Sequence, residues 1–468
     1  MFASFFIDRR VFAIVISLVL VLVGGLSIVG LPIALYPQIT PPVVRVETVY
    51  TGASAPVVAE SVAIPIEQEI NGAEGMLYMS SKSSSDGRYV LDVTFALGRD
   101  QDLAMVDVQN RLKKADAKLP NEVKTYGITV TKQSPDMLMV IAVYSPDQTY
   151  DSIFVSNYAS INLVDPLKRV PGIGNLNIVG QRDYAMRMWL RPDKLAKLGL
   201  TATDVAGVIR EQNVQAPAGQ VGQPPAKAGV EFQYTVNVGG RLSTVDEFDN
   251  IIVRTLSDGS VLRVKDIART ELAAQDYNNF GRLNGTPAAV LILYQLPGAN
   301  ALQAANDVRA TMERLAQNFP PGLSYTISFD NTRFIVASLE EVLYTFAEAL
   351  GLVVIVVFVF LGNFRATLIP MLAVPVSVVG TFAAFIPLGF SINTLTLFGM
   401  VLAIGIVVDD AIVVVEAVEH HIENGLSPVE ATRKAMSEVT GPVVAIALVL
   451  CAVFVPVAFL GGITGQLY

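Results

Sequence analysis

The chain has 468 residues, 52% of them hydrophobic and only 16% charged, which is too apolar for an ordinary soluble protein and too charged to lie wholly in lipid. Its 33 Lys and Arg against 42 Asp and Glu give a formal net charge of -9, leaving no basic face for a nucleic acid. A single cysteine, Cys451, excludes a disulfide framework within the chain.

The first element is an apolar run at 11–35, behind Arg9 and Arg10. It is longer than the apolar core of a signal peptide and predicts an uncleaved first membrane span. Four more spans are expected at 342–361, 366–390, 395–415 and 442–460. Arg365 falls between the second and third, and Arg433 and Lys434 between the fourth and fifth, while the turn "GFSIN" between the third and fourth carries no charge. Basic residues thus alternate sides, which predicts a cytoplasmic N-terminus.

Positions 36–333 have ordinary polar composition and fall on the outer side. "VVRVETVY" (43–50) alternates as a strand does, and "ASAPVVAESVAIPIEQEI" (53–70) has helical spacing. A hairpin over 76–97 turns at Asp86-Gly87, followed by a charged amphipathic helix (100–119) and the strand "GITVTK" (127–132). The order is β-α-β-β-α-β, the split βαβ unit. A second set begins with a strand (137–145), a helix (152–170) and "NLNIVG", breaks off, and resumes near Asn284 with "AAVLILYQL", a helix (300–317) and "SYTISF". The interval predicts an inserted domain. Within it, 211–232 is rich in Gly, Pro and Gln and lacks a core pattern, so it is either disordered or reaches onto something else.

No nucleophile elbow, zinc spacing or phosphate-binding loop is present. His420 and His421 adjoin Glu416, Glu419 and Glu423, but neighbours on a helix diverge by about 100° and do not share a metal. Both are read as a solvated cytoplasmic helix end, and no metal or cofactor is expected.

"GIVVDDAIVVVE" sets Asp409 and Asp410 inside the fourth span. A charge at mid-bilayer costs at least ~2.5–3.5 kcal/mol, and adjacent carboxylates also repel. One of them capping a helix or facing a water pocket without titrating is the bland explanation. An intramembrane aspartyl protease needs carboxylates that converge, and neighbours on one helix diverge. A proton-coupled transporter needs carboxylates that load and unload protons as a cation approaches and withdraws. No Lys or Arg lies within the five predicted spans, so that mechanism lacks its cation in this chain. Glu348 in the second span is a further candidate for proton transfer. Gly399, Ala403 and Gly405 make a lightly built face on the fourth span, and Pro370, Pro375 and Pro387 are able to kink the third.

"FGMVLAIGIVVDDAIVVVE", "NFRATLIPMLAVPVSVVGTF", "FSINTLTLFGM", "EATRKAM" and "FFIDRRVFA" closely resemble the resistance-nodulation-division multidrug efflux pumps, collinearly from Met1 to Tyr468. The resemblance implies an α+β membrane protein, a homotrimer in the inner membrane of a Gram-negative bacterium. Such a pump works by drug/proton antiport, as a secondary transporter and not an enzyme, with a periplasmic adaptor and an outer-membrane channel. It divides the chain into an N-terminal segment with the first span (1–37), a first porter subdomain (38–134), a second porter subdomain (135–181 and 275–330), a docking subdomain (182–274) and the second to fifth spans (331–468). The loop 211–232 becomes an arm reaching a neighbouring protomer, and Asp409 and Asp410 become the proton-relay pair. In the family the relay cations lie in a second half with its own spans. The chain therefore resembles an N-terminal portion that stops before a sixth span.

For the drug pocket, the resemblance implies Glu47, Asp92, Met137, Val140, Val179, Asn279 and Phe329. Met137 and Val179 replace aromatic residues and Glu47 a polar one, so a pocket richer in carboxylates is expected to favour cationic amphiphiles. Ordinary strand core is the competing explanation for Met137 and Val179. Metal- or lipid-exporting branches of the family, or an inactive half-length fragment, are the alternatives to drug export.

Overall fold

The computed structural model describes every residue except 1, 38, 135, 216–218, 222–231, 237–239, 256–258 and 459–468. Among the described residues five helices are long and apolar enough to cross a membrane: Arg10–Gly30, Thr332–Leu361, Phe364–Leu388, Thr394–Glu423 and Pro428–Ala458. They differ from the expected spans mainly at their ends. The first stops at Gly30 and not near 35, because Leu31 precedes Pro32 and turns extended. The second starts at Thr332, the fourth runs on to Glu423 and the fifth starts at Pro428. Hydropathy marks only the lipid-compatible turns. A 30-residue helix is ~45 Å long, well beyond a ~30 Å hydrocarbon core, so polar turns continue past it.

The first and third helices cross at Gly24. A Cβ there would overlap the Val379 carbonyl, whereas one on the adjacent Gly25 would meet nothing within 4 Å. Small residues of this kind let helix backbones touch without a hydrophobic drive between them. Sequence reading placed the close-packing face on the fourth helix, but Cβ atoms on Gly399 and Gly405 would meet nothing within 4 Å. Val357, Val374, Ile404 and Val408 instead lock the second, third and fourth helices together. Just before the fourth helix, Ile392 and the segment after the first helix exchange backbone hydrogen bonds, and the Ala301 N–H donates to the Ile33 carbonyl at 3.0 Å.

Among the described residues the polar region contains two larger sheets and three two-stranded ones. In the first, β1 (Val43–Val49), β2 (Met76–Ser83), β3 (Arg88–Phe95) and β4 (Thr129–Gln133) lie in the order β2-β3-β1-β4, all neighbours antiparallel. Val44, Val46, Leu91 and Val93 point into a core closed by Val58, Ile66, Val108 and Leu112, leaving the opposite face of β1 and β3 open. The 53–70 helix contains a widened turn at Ala59–Ala63 just before Pro65, whose ring displaces the preceding carbonyl. The sequence reading also missed a short helix, Asn121–Tyr126.

The second sheet is built on β5 (Met137–Tyr144), β6 (Ile173–Val179), β7 (Thr286–Gln295) and β8 (Ser324–Asp330), in the order β6-β7-β5-β8, with a fifth, two-residue strand Arg282–Leu283 paired antiparallel to the start of β7. This is the strand order of the first sheet, as a split βαβ unit requires. The expected helix over 152–170 is two, Ser152–Asn162 and Val164–Lys168, because Pro166 lacks the N–H that would bond Asn162.

By compactness the chain forms two units, Met1–Val143 with Asn162–Ile178 and Val290–Tyr468, and Tyr144–Ile161 with Val179–Ala289. The second holds the insertion, whose strands Tyr184–Leu190 and Ala268–Ala274 pair antiparallel. Of the 211–232 stretch, Gln220–Val221 pairs with Tyr234–Thr235, and most of the remainder lies outside the described residues.

β8 passes almost directly into the second apolar helix through Asp330. Its carboxylate is 5% exposed, pairs with Arg309, and accepts from the Thr332 N–H at 3.0 Å and hydroxyl at 2.6 Å. Burial pushes the Asp330 carboxyl upward, but the bonds from Thr332 and Arg309 outweigh it and hold the group below the usual carboxylate value. Stability from this group is therefore complete above its unfolded pKa of ~3.9 and is lost as pH falls through the lower folded value. Asp330→Asn should destabilise by about 2 kcal/mol, less than for a fully buried pair because Arg309 is partly solvated. The gap in thermal midpoint between wild type and the variant should be wide at neutral pH and narrow progressively as pH falls below about 4. Separately, Gly24→Val should lower the midpoint by overpacking against backbone, costing about 2 kcal/mol, while Gly25→Val should not.

Candidate functional site

The fourth apolar helix begins at a firm cap. Asn393 is 1% exposed, and its side-chain oxygen accepts from the Leu395 and Thr396 N–H groups, both at 3.0 Å. From that anchor Ile404, Val408 and Val415 fall on one buried stripe. At about 100° per residue, Asp409 and Asp410 straddle the pole opposite that stripe. Asp409 sits in an exposed row with Phe398, Leu402, Gly405, Val413 and Glu416, and Asp410 is half-buried beside it. Neither carboxylate has a hydrogen bond or ion pair among the described residues.

The two carboxylates diverge, so they do not form the converging pair that proton-sharing proteolysis needs. Their arrangement suits exchange with water or with a cation brought to the open face of the helix. Glu348 is also exposed, on the second apolar helix, and has no partner among the described residues. The histidines correct the sequence reading. His420 is exposed, but His421 is 7% exposed and its Nε2 lies 3.0 Å from Glu438 on the fifth helix. The fifth helix begins far enough upstream to cover it, a contact invisible while that helix was expected to start near 442.

Glu47 and Asp92 come together on the open face of the first sheet. Residues 45 and 92 are cross-strand partners, and Arg45 donates to both Asp92 oxygens at 2.7 and 2.8 Å. Glu47 lies between Arg45, at 3.8 Å, and Arg88, at 3.4 Å. The bonded Asp92 carboxylate raises the Arg45 guanidinium further above its already high value, against the effect of burial. Arg45 and Arg88 were missed, although alternation along β1 puts positions 45 and 47 on one face. Both carboxylates expected to favour cationic amphiphiles are thus already paired within the sheet.

Met137 and Val140 are half-buried on β5, and the Val140 carbonyl accepts from the Ser328 hydroxyl at 3.3 Å. Phe329, also half-buried, has its ring centroid 6.1 Å from that of Phe334, the two rings tilted by 35°. In the second unit Val179 and Asn279 are both exposed, which argues against strand core for Val179.

The profile of the AcrB/AcrD/AcrF family matches residues 2–468. Multidrug resistance protein MdtF of Escherichia coli K12 is 46% identical over 467 residues, covering all of this chain and 45% of that protein. Multidrug export protein AcrF of the same strain is 46% identical over 469 residues, again 45% of its length. Toluene efflux pump membrane transporter TtgB of Pseudomonas putida is 45% identical over 467 residues, 44% of its length. The chain thus spans about half the length of the curated relatives it matches.

If Arg45 and Asp92 act as one unit, a double-mutant cycle with Arg45→Met and Asp92→Leu should give a coupling of about 1 kcal/mol in the thermal stability of the protein. Strictly additive losses would mean that the two groups do not act together.

Proposed function

The chain belongs to the AcrB/AcrD/AcrF family of resistance-nodulation-division transporters, and we propose that it forms part of a drug/proton antiporter whose relay uses Asp409 and Asp410. The observation that carries this reading is the pair of unpartnered carboxylates on the unpacked side of an apolar helix. Low dielectric favours the protonated form, and a basic group moving close favours release. The cation comes from a helix outside these 468 residues. It is expected to face the row of Phe398, Leu402, Gly405 and Asp409, where no side chain among the described residues fills the space over the glycine. Glu348 is a second carboxylate able to take part.

The protein sits in the inner membrane of a Gram-negative bacterium with its N-terminus cytoplasmic, and the five apolar helices are five of its spans. The two sheets act as porter subdomains, and the insertion within 182–274 as the docking subdomain of a homotrimer joined to a periplasmic adaptor and an outer-membrane channel. Exposed Val221, Phe232 and Tyr234 at the base of the 211–232 arm support an intersubunit contact there. The cargo is hydrophobic and amphiphilic, in keeping with relatives named for multidrug and toluene efflux.

In the full-length protein, Asp409→Asn or Asp410→Asn should reduce energised dye export to the level of a pump-free strain, with membrane abundance and trimer formation unchanged. Wild-type export by the double variant would remove these residues from the relay.

A further inference from the structure

The second unit holds a cavity of about 160 Å³ whose polar lining is basic. Arg182 and Arg282 line it with Ser152 and Phe280, and no carboxylate does. The Arg282 guanidinium lies 5.1 Å from the Phe280 ring centroid and forms no ion pair or hydrogen bond among the described residues. Arg182 donates from Nη1 to the Ser152 hydroxyl at 2.8 Å, and its buried Nε has no partner among the described residues. Two guanidiniums without a counter-ion among the described residues therefore share one small cavity.

The acids nearby in sequence are occupied elsewhere. Asp151 accepts from the Phe154 N–H at 2.8 Å, Asp183 from the Gln181 amide at 2.9 Å, and Asp276 from the Asn278 N–H at 2.8 Å. The cavity keeps its shape through a close backbone approach. Gly180 has φ +76°, and a Cβ on it would overlap the Gly281 nitrogen. Alternating cations and rings lead away from the cavity. Arg182 and Arg187 lie 5.3 and 5.2 Å from the Tyr277 ring, and Arg187 and Arg269 lie 5.2 and 6.0 Å from Trp189.

We infer that this cavity binds the anionic end of aromatic amphiphiles, the acid group between Arg182 and Arg282 and the ring on Phe280. The volume suits one ring with its acid group rather than a whole drug-sized molecule, so the rest of the substrate lies outside. A charged acceptor is required because guanidinium pairs with a carboxylate or sulfonate far better than with a neutral carbonyl. The inference rests on the efflux reading and reverses the charge preference expected from Glu47 and Asp92.

The test uses the purified full-length protein and a matched pair of fluorescent probes, 7-methoxycoumarin-4-acetic acid and its primary amide. Fluorescence polarisation should show the acid bound about tenfold more tightly than the amide, a difference of ~1.4 kcal/mol. Arg282→Gln should remove that preference and Arg282→Lys should keep most of it, with amide affinity reporting that the site is folded. Arg182→Gln should weaken acid binding in the same sense. Equal affinity of wild type for acid and amide, or an acid preference untouched by both glutamine variants, would overturn the inference. Energised cells that export the amide while showing no acid preference would leave the efflux reading standing. Cells that export neither would remove that reading as well.

Discussion

The cost of holding a carboxylate in hydrocarbon, at least ~2.5–3.5 kcal/mol on insertion scales, is the constraint on which the rest of the structure depends. Asp409 and Asp410 impose that cost on a helix that is otherwise apolar through its middle. The helix is held on its opposite side, where Ile404 and Val408 pack with Val357 and Val374 of the second and third helices. Its start is fixed by the buried Asn393 cap, which leaves the carboxylates on a side free to meet something else.

The relay proposed for Asp409 and Asp410 requires that its charge state be felt in the polar region, and two joints connect that region to the apolar helices. The segment after the first apolar helix bonds both to the turn before the fourth and to Ala301 at the head of a polar-region helix. Asp330, pinned by Arg309 of that same helix and by Thr332, then ties it to the start of the second apolar helix. Rigid side-chain and backbone links of this kind are the physical means by which a change in one element biases another. Near the C-terminal end of the fourth helix, His421 and Glu438 tie it to the fifth.

Much of the fold was legible because periodicity and punctuation are local signals. The strands 43–50 and 76–97, the turn at Asp86-Gly87 and the resumption of the second sheet near 284 all followed from alternation and turn residues. Helix ends were not legible, since amphipathic turns beyond the lipid-compatible stretch look like loop to a hydropathy window. The Gly24 crossing was missed for another reason: Gly24 and Gly25 are identical in sequence and differ only in which faces the third helix. At the candidate sites, residue type exposed Asp409 and Asp410, but partnership decides chemistry. Arg45 and Arg88 neutralise Glu47 and Asp92 across strands, a contact between residues far apart in the chain.

The most direct test of the central claim is infrared difference spectroscopy of the full-length protein in lipid vesicles as pH is stepped across neutrality. Reversible protonation of Asp409 or Asp410 predicts a protonated-carboxyl C=O band that titrates in this range and disappears in the Asp409→Asn, Asp410→Asn double variant. Identical spectra for wild type and the double variant would contradict a proton relay through these two residues.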